Sequence, residues 1–210
     1  NPSKMLDIDT RALNARFGEA KDLEDYVMKS HMQAYEGKRA MFEAYARNKY
    51  HSTGVIQWML NNAWPGIYWN LYDYFLRTGG SYYGTKKACE PLHIQYSYDD
   101  RSIVAVSSFL KDFKELKASV MVLNFDMTEK YSNEVIFDIS ADGIVRIDTI
   151  PELQDLSTTY FVRLELKDQA GETVSSNFYW LSTTKEVFDW EKSYFWTTPM
   201  ISFPDYTALR

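Results

Sequence analysis

Hydrophobic and polar positions change their spacing near residue 92. Upstream, in "DLEDYVMKSHMQAYEGKRAMFEAYARN", Leu23, Val27, Ser30, Ala34, Gly37, Met41 and Tyr45 recur close to the 3.6-residue period of a helix. Asp22 supplies an N-cap with acidic Asp25 three residues on, so the pattern predicts a helix from Asp22 to about Asn48. The middle of that face is small, and a helix-interior glycine costs about 1 kcal/mol relative to alanine. Gly37 is therefore expected to let a neighbouring helix or sheet approach closely.

The next stretch, "HSTGVIQWMLNN", is apolar on both faces from Val55 to Leu60 except at Gln57, which predicts a strand of a parallel sheet covered on both sides. Function gathers at the carboxyl ends of such strands, where Trp58, Asn61 and Asn62 lie. "GIYWNLYDYFLRTGG" is expected to be helical in part and closed by Gly79 and Gly80. "SYYGTKKACEPLH" predicts a short helix stopped at Pro91.

From Leu92 the period falls to two. "HIQYSYDDRSIVAVSSF" holds two strands around Asp99 and Asp100, and "ASVMVLNFDM", "NEVIFDIS" and "GIVRIDTI" follow at strand length. In "TYFVRLELKDQAGETVSSNFYWLS", Val162, Leu164 and Leu166 alternate with Arg163, Glu165 and Lys167 before the turn residues "DQAG". About seven such strands with short loops predict an immunoglobulin-like antiparallel β-sandwich lacking the cysteine pair. The tail "VFDWEKSYFWTTPMISFPDYTALR" has little periodicity and reads as a linker toward a further domain.

Composition narrows the function classes. A chain of 210 residues with 45% hydrophobic and 25% charged residues has an ordinary globular balance. Its net charge of -6 and the absence of a basic cluster argue against a nucleic-acid partner. No apolar run approaches the roughly 20 residues of a membrane helix, so no membrane span is expected. The opening "NPSKMLDIDT" reads as the start of a piece of a longer protein. Cys89 is the single cysteine, which leaves the compartment open, fits cytoplasm somewhat better than a secreted space, and reads as a small buried hydrophobe. His31, His51 and His93 are too far apart to suggest a metal site, and no nucleotide or cofactor motif occurs. The aromatic share, 16%, is high, and such rings suit sugar faces and sandwich cores equally.

"STGVIQWMLNNAWPGIYWNLYDYFLRTGGSYYGTKKACEPLHIQYSYDD", with W-x-x-N-x-x-W-P followed by Y-x-G-x-K-K-A-x-E-P-x-H and then a sandwich containing "SSNFYWLS", resembles glycoside hydrolase family 2 in its exo-β-glucosaminidase and β-mannosidase branch. The resemblance runs from about Leu23 to Leu209. It implies an α+β piece: residues 1–91 as the mainly helical last β/α part of a (β/α)8 barrel, 92–186 as the immunoglobulin-like domain, and 187–210 as a linker. It also implies retaining hydrolysis of a terminal β-linked glucosamine or mannose by two glutamates about 5 Å apart. In the family these glutamates sit on strands seven and four, both upstream of this chain, so the piece itself is expected to be inactive with no catalytic residue of its own. A periplasmic or secreted parent is also implied.

Substrate-contact candidates follow from the same resemblance. Trp58 corresponds to the aromatic floor of the subsite beside the scissile bond, although a tryptophan in an apolar strand also serves as core. Asn61, Asn62 and Trp64 adjoin it; asparagine amides suit hydroxyl recognition and equally cap turns. Tyr82 and Tyr83 either line the barrel mouth or pack inside. A non-catalytic carbohydrate-binding or scaffolding module is the alternative function. Without the other barrel strands, the first half is expected to cover its apolar surface by folding onto the sandwich or by self-association.

Overall fold

The computed structural model describes residues 2–66, 70–195 and 197–209. Its centre is the predicted sandwich. Strands β1 (Leu92–Tyr96), β2 (Ser102–Ser107) and β5 (Ile144–Thr149) form one sheet in the order β1-β2-β5. Strands β3 (Phe113–Asn124), β4 (Glu129–Ile139), β6 (Thr159–Lys167) and β7 (Thr173–Ser182) form the other in the order β4-β3-β6-β7. Every pairing within the two sheets is antiparallel.

The period of two produces this arrangement directly. Ala118, Val120 and Val122 of β3 and Val162, Leu164 and Leu166 of β6 point inward and meet Ile94, Ile103 and Ala105 of the opposite sheet. Burying each large aliphatic chain contributes about 1.5–3 kcal/mol. Leu123 is also buried, but on the opposite face from Val122: its register with Phe161 of β6 is unbroken, and the shift against β4 at this point passes over Lys130 of β4. The β6–β7 hairpin closes at Asp168–Gly171, where Gly171 adopts φ +83 and Asp168 Oδ1 accepts from the amides of Ala170 and Glu172 at 2.9 and 3.0 Å.

Helix α2 (Leu23–Arg47) has the predicted cap, with the Asp25 amide donating to Asp22 Oδ1 at 2.9 Å. It lies across β1, which explains why every residue of β1 and β2 is buried: one face meets the other sheet and the opposite face lies under cover. Lys49, just past the helix, fastens this end to the sandwich through Ser107 O at 2.5 Å and Asp142 Oδ1 at 2.7 Å. Helix α3 (Gly80–Ala88) ends before Pro91 as expected.

Close approach occurs, but through different glycines from the one expected. A Cβ on Gly80 would fall inside the carbonyl of His31, and one on Gly84 inside that of Tyr35, so these two residues let α3 lie on the backbone of α2. A Cβ on Gly37 would meet nothing, and Leu23, Val27 and Met41 on its helix face are exposed. Gly79 and Gly80 accordingly open α3 and do not close a preceding helix; residues 70–78 contain no helix, and Ile67–Trp69 lie outside the described residues.

Two further features depart from the sequence pattern. Gly54–Leu60 forms no strand, because a strand needs a ladder partner for its amides and carbonyls and none of the sheets runs alongside it. Helix α1 (Pro2–Phe17), absent from the sequence reading, is closed by Gly18 at φ +73, whose amide donates to Asn14 O at 2.8 Å. Leu13 and Phe17 bury themselves against Tyr206, whose amide donates to Arg16 O at 2.7 Å. The last stretch, including the short pair β8 (Val187–Phe188) and β9 (Met200–Ser202), therefore folds back to α1.

Candidate functional site

The residues singled out by the sequence lie on a loop packed beside α3. The Leu60 carbonyl accepts from the amides of Leu71 and Tyr72 at 3.1 and 2.9 Å, closing the loop at its neck. Inside, Asn70 Nδ2 donates to Asn62 Oδ1 at 2.6 Å, while Asn62 Nδ2 reaches Gly66 O at 3.5 Å. Asn62 is only 8% exposed and braces the loop. Asn61 donates to the Asn62 carbonyl at 3.2 Å and bridges to Tyr72, whose ring lies 5.2 Å from that of Tyr82.

Trp58 and Trp64 are 71% and 69% exposed, so two indoles and the edge of an asparagine face solvent here. Indole faces and amides can bind a sugar ring by dispersion and hydrogen bonding. The neighbouring acid, Asp73, is engaged by Arg77 at 2.7 Å, which holds its carboxyl below the usual range through the Arg77 backbone amide and side chain. Among the described residues no group of three or more His, Cys, Asp or Glu side chains is placed to hold a metal ion. No described helix is long and apolar enough to cross a membrane.

A second constellation lies between α2 and the sandwich, and the sequence reading missed it. Arg39, Glu43 and His93 are 0, 2 and 1% exposed. Glu43 Oε1 accepts from His93 Nε2 at 2.9 Å, Asn177 Nδ2 at 2.8 Å and Tyr179 Oη at 2.9 Å. The other ring nitrogen of His93, Nδ1, lies 3.2 Å from Glu90 Oε2. Glu90 is also held by Lys87 Nζ at 2.6 Å and Ser175 Oγ at 3.0 Å. Arg39 donates to Asn177 Oδ1 at 3.0 Å and Phe178 O at 2.6 Å, with its guanidinium 4.0 Å from the Tyr179 ring centroid.

Electrostatics follow from these contacts. Burial works to lower the His93 imidazole, but its hydrogen bonds to Glu43 and Glu90 outweigh burial and hold it above its ordinary value. Burial works to raise Glu90, yet His93 and Lys87 bring its carboxyl down to about 2. The available signal was the i, i+4 pair Arg39 and Glu43 on a helix, together with His93 and Gln95 alternating with Leu92 and Ile94 on a strand.

Gly37 and Glu36 face a cleft of about 1290 Å³ that also touches Arg47, Tyr98, Tyr160 and Tyr206. Glu36 Oε1 accepts from Tyr206 Oη at 3.1 Å. Burial there pushes its carboxyl up to about 7, against the pull of Arg39. Trp58 and Trp64 do not line this cleft.

Similarity to known proteins is extensive. Residues 99–186 match the Mannosidase Ig/CBM-like domain family. An exo-β-D-glucosaminidase of Streptomyces avermitilis is 43% identical over 97% of this chain and 23% of its own length. The crystal structure of Amycolatopsis orientalis exo-chitosanase superposes with a TM-score of 0.91 at 41% identity, over 95% of this chain and 24% of that one. A Dictyoglomus thermophilum β-D-mannosidase shares the fold at TM-score 0.71 and 23% identity, over 83% of this chain and 22% of that one. The chain thus spans about a quarter of the length of the relatives it matches. Over nearly its whole length the chain is similar to the exo-β-glucosaminidases of glycoside hydrolase family 2, and it carries a Mannosidase Ig/CBM-like domain together with the segment preceding it.

Proposed function

We propose that this chain is part of a retaining β-glycosidase that removes terminal β-linked sugar from glycans or oligosaccharides, with glucosamine favoured over mannose. The observation that carries the reading is the 41% identity and TM-score of 0.91 to an exo-chitosanase over 95% of the chain. The mannosidase likeness, at 23% identity, supports the fold alone. In this reading residues 1–91 are the end of the (β/α)8 barrel, 92–186 the immunoglobulin-like domain and 187–210 the lead into a further domain. Gly54–Leu60 takes up its strand only beside its barrel neighbours, because pairing supplies the ladder bonds that the isolated segment lacks.

Trp58 then floors the sugar subsite, with Trp64 and Asn61 at its rim. Asn62 acts mainly by holding the loop, since its Oδ1 is occupied by Asn70 at 2.6 Å. The two catalytic glutamates belong to the portion of the protein outside this chain, so the 210 residues alone are inactive. Exposed apolar side chains such as Ile56, Leu60 and Leu76 make the isolated chain prone to self-association, which light scattering would detect.

The test compares the intact protein with the 210-residue chain on PNP-β-D-glucosamine, a PNP-β-mannoside and chitosan oligosaccharides. Turnover of the glucosaminide by the intact protein, with retained anomeric configuration and none by the chain alone, is expected. Turnover by the chain alone would overturn the assignment of the acids to the missing portion. A second reading, a non-catalytic sugar-binding module, is favoured by the match to an Ig/CBM-like family over 99–186. Calorimetric titration of the chain with glucosamine and mannose separates the two, and no heat is expected.

A further inference from the structure

We infer that His93, clamped as an imidazolium between Glu43 and Glu90, is an alkaline-labile latch that joins α2 and α3 to the sandwich. A neutral imidazole has one N–H and one lone pair, so it can donate to only one neighbour. His93 places both ring nitrogens against carboxylate oxygens, Nε2 at 2.9 Å from Glu43 Oε1 and Nδ1 at 3.2 Å from Glu90 Oε2. With both acids ionised, only the doubly protonated ring donates to both; a neutral ring would turn a lone pair toward one carboxylate, and Asn177 Nδ2, 3.4 Å from Nε2, is the donor beside that nitrogen.

Both acids are surrounded by hydrogen-bond donors. Glu43 Oε1 accepts two further hydrogen bonds from β7, those of Asn177 and Tyr179. Glu90 accepts from Lys87 of α3 and Ser175 of β7. The charged and titratable groups facing the cluster are therefore Arg39 and Glu43 from α2, Lys87 from α3, Glu90 at the head of β1, and Tyr179 from β7, with Tyr98 beside Arg39. Residues from α2, the α3–β1 junction and β7 meet at the one ring of β1.

The direction of the pH response follows. The His93 pKa is raised in the folded chain, so its contribution is complete below about 6.5, the ordinary value, and is lost as pH rises from there through the folded value, then stays flat. In acid, the Glu90 contribution is lost as pH falls from the ordinary carboxyl range toward about 2. Glu36, on the same helix and raised to about 7, weakens the fold in an overlapping window as it ionises, so the experiment uses Glu36→Gln to remove it.

Long-range ¹H–¹⁵N spectra of the Glu36→Gln chain, with His93 assigned by its disappearance in an additional His93→Gln variant, report the protonation state. Both nitrogens protonated at pH 7, with a midpoint above 6.5, are expected. Hydrogen exchange, normalised for base catalysis, should then show α2 opening about tenfold more per pH unit within that window. Protection of β3 and β6 should hold, and the α2 slope should vanish in His93→Gln. A neutral tautomer at pH 7, a midpoint at or below 6.5, or opening of α2 and β3 in parallel would overturn the latch. If His93→Gln does not fold, assignment by a second spectrum with His31 and His51 replaced leaves the test intact. None of these outcomes depends on glycosidase activity.

Discussion

The sandwich strands and the segment Gly54–Leu60 carry equally apolar sequences and end in opposite states. In β6, Val162, Leu164 and Leu166 are buried and every residue pairs with β7 or β3. In the segment, Ile56, Trp58, Met59 and Leu60 are exposed and no ladder forms. The difference lies in the partner rather than the pattern. Period two selects a strand when the same chain supplies the neighbours that bond its backbone and cover its apolar face. The segment has an apolar run with neither, and settles into a loop held by Leu60 and by an asparagine pair.

The sharpest way to break this comparison is to delete matched apolar volume from both regions. Leu164→Ala is expected to cost about 2–5 kcal/mol in chemical denaturation, because it opens a cavity among fully buried neighbours. Ile56→Ala is expected to change stability by less than about 0.5 kcal/mol. Equal losses would mean that the segment is packed as tightly as the sandwich, and the contrast would fail.

A smaller effect separates the glycines of the helical part. Gly84→Ala puts a methyl into the Tyr35 carbonyl and is expected to destabilise by about 1–3 kcal/mol as α3 is pushed off α2. Gly37→Ala meets nothing and restores helix propensity, so a gain of up to about 1 kcal/mol is expected. Thermal melts of the two variants should move in opposite directions; a matched fall would show that Gly37 faces a packed neighbour after all.

Legibility in the sequence follows the same division. The seven sandwich strands and the Asp22-capped α2 were readable, because alternation and capping are local signals whose partners lie in the same chain. Helix α1 was not, since Leu6 and Ile8 stay exposed and, among the described side chains, Leu13 and Phe17 alone mark its buried apolar side. The Arg39–Glu43–His93 cluster was hidden for a related reason. His93 and Gln95 alternate with the inward-facing Leu92, Ile94 and Tyr96, and only the covering helix turns their side into an interior, while Asn177 is a polar residue on the inward face of β7 opposite Leu164. Trp58 and Trp64 stood out as a motif, but a motif does not say whether its strand has neighbours.

The smallest predicted effects sharpen what holds that loop. If its shape came from its indoles, Trp58→Ala and Trp64→Ala would unravel it, yet both rings are largely solvated. Each replacement is expected to change stability by no more than about 0.5 kcal/mol. Asn62→Ala removes the acceptor of a buried amide and leaves Asn70 Nδ2 without it, so a loss of about 1 kcal/mol is expected, with faster exchange of the Leu71 and Tyr72 amides at the loop neck. A larger loss from either tryptophan than from Asn62 would mean that the aromatics organise the loop. The opposite order would place the organisation of the loop with the asparagine pair and its neck rather than with the exposed indole faces.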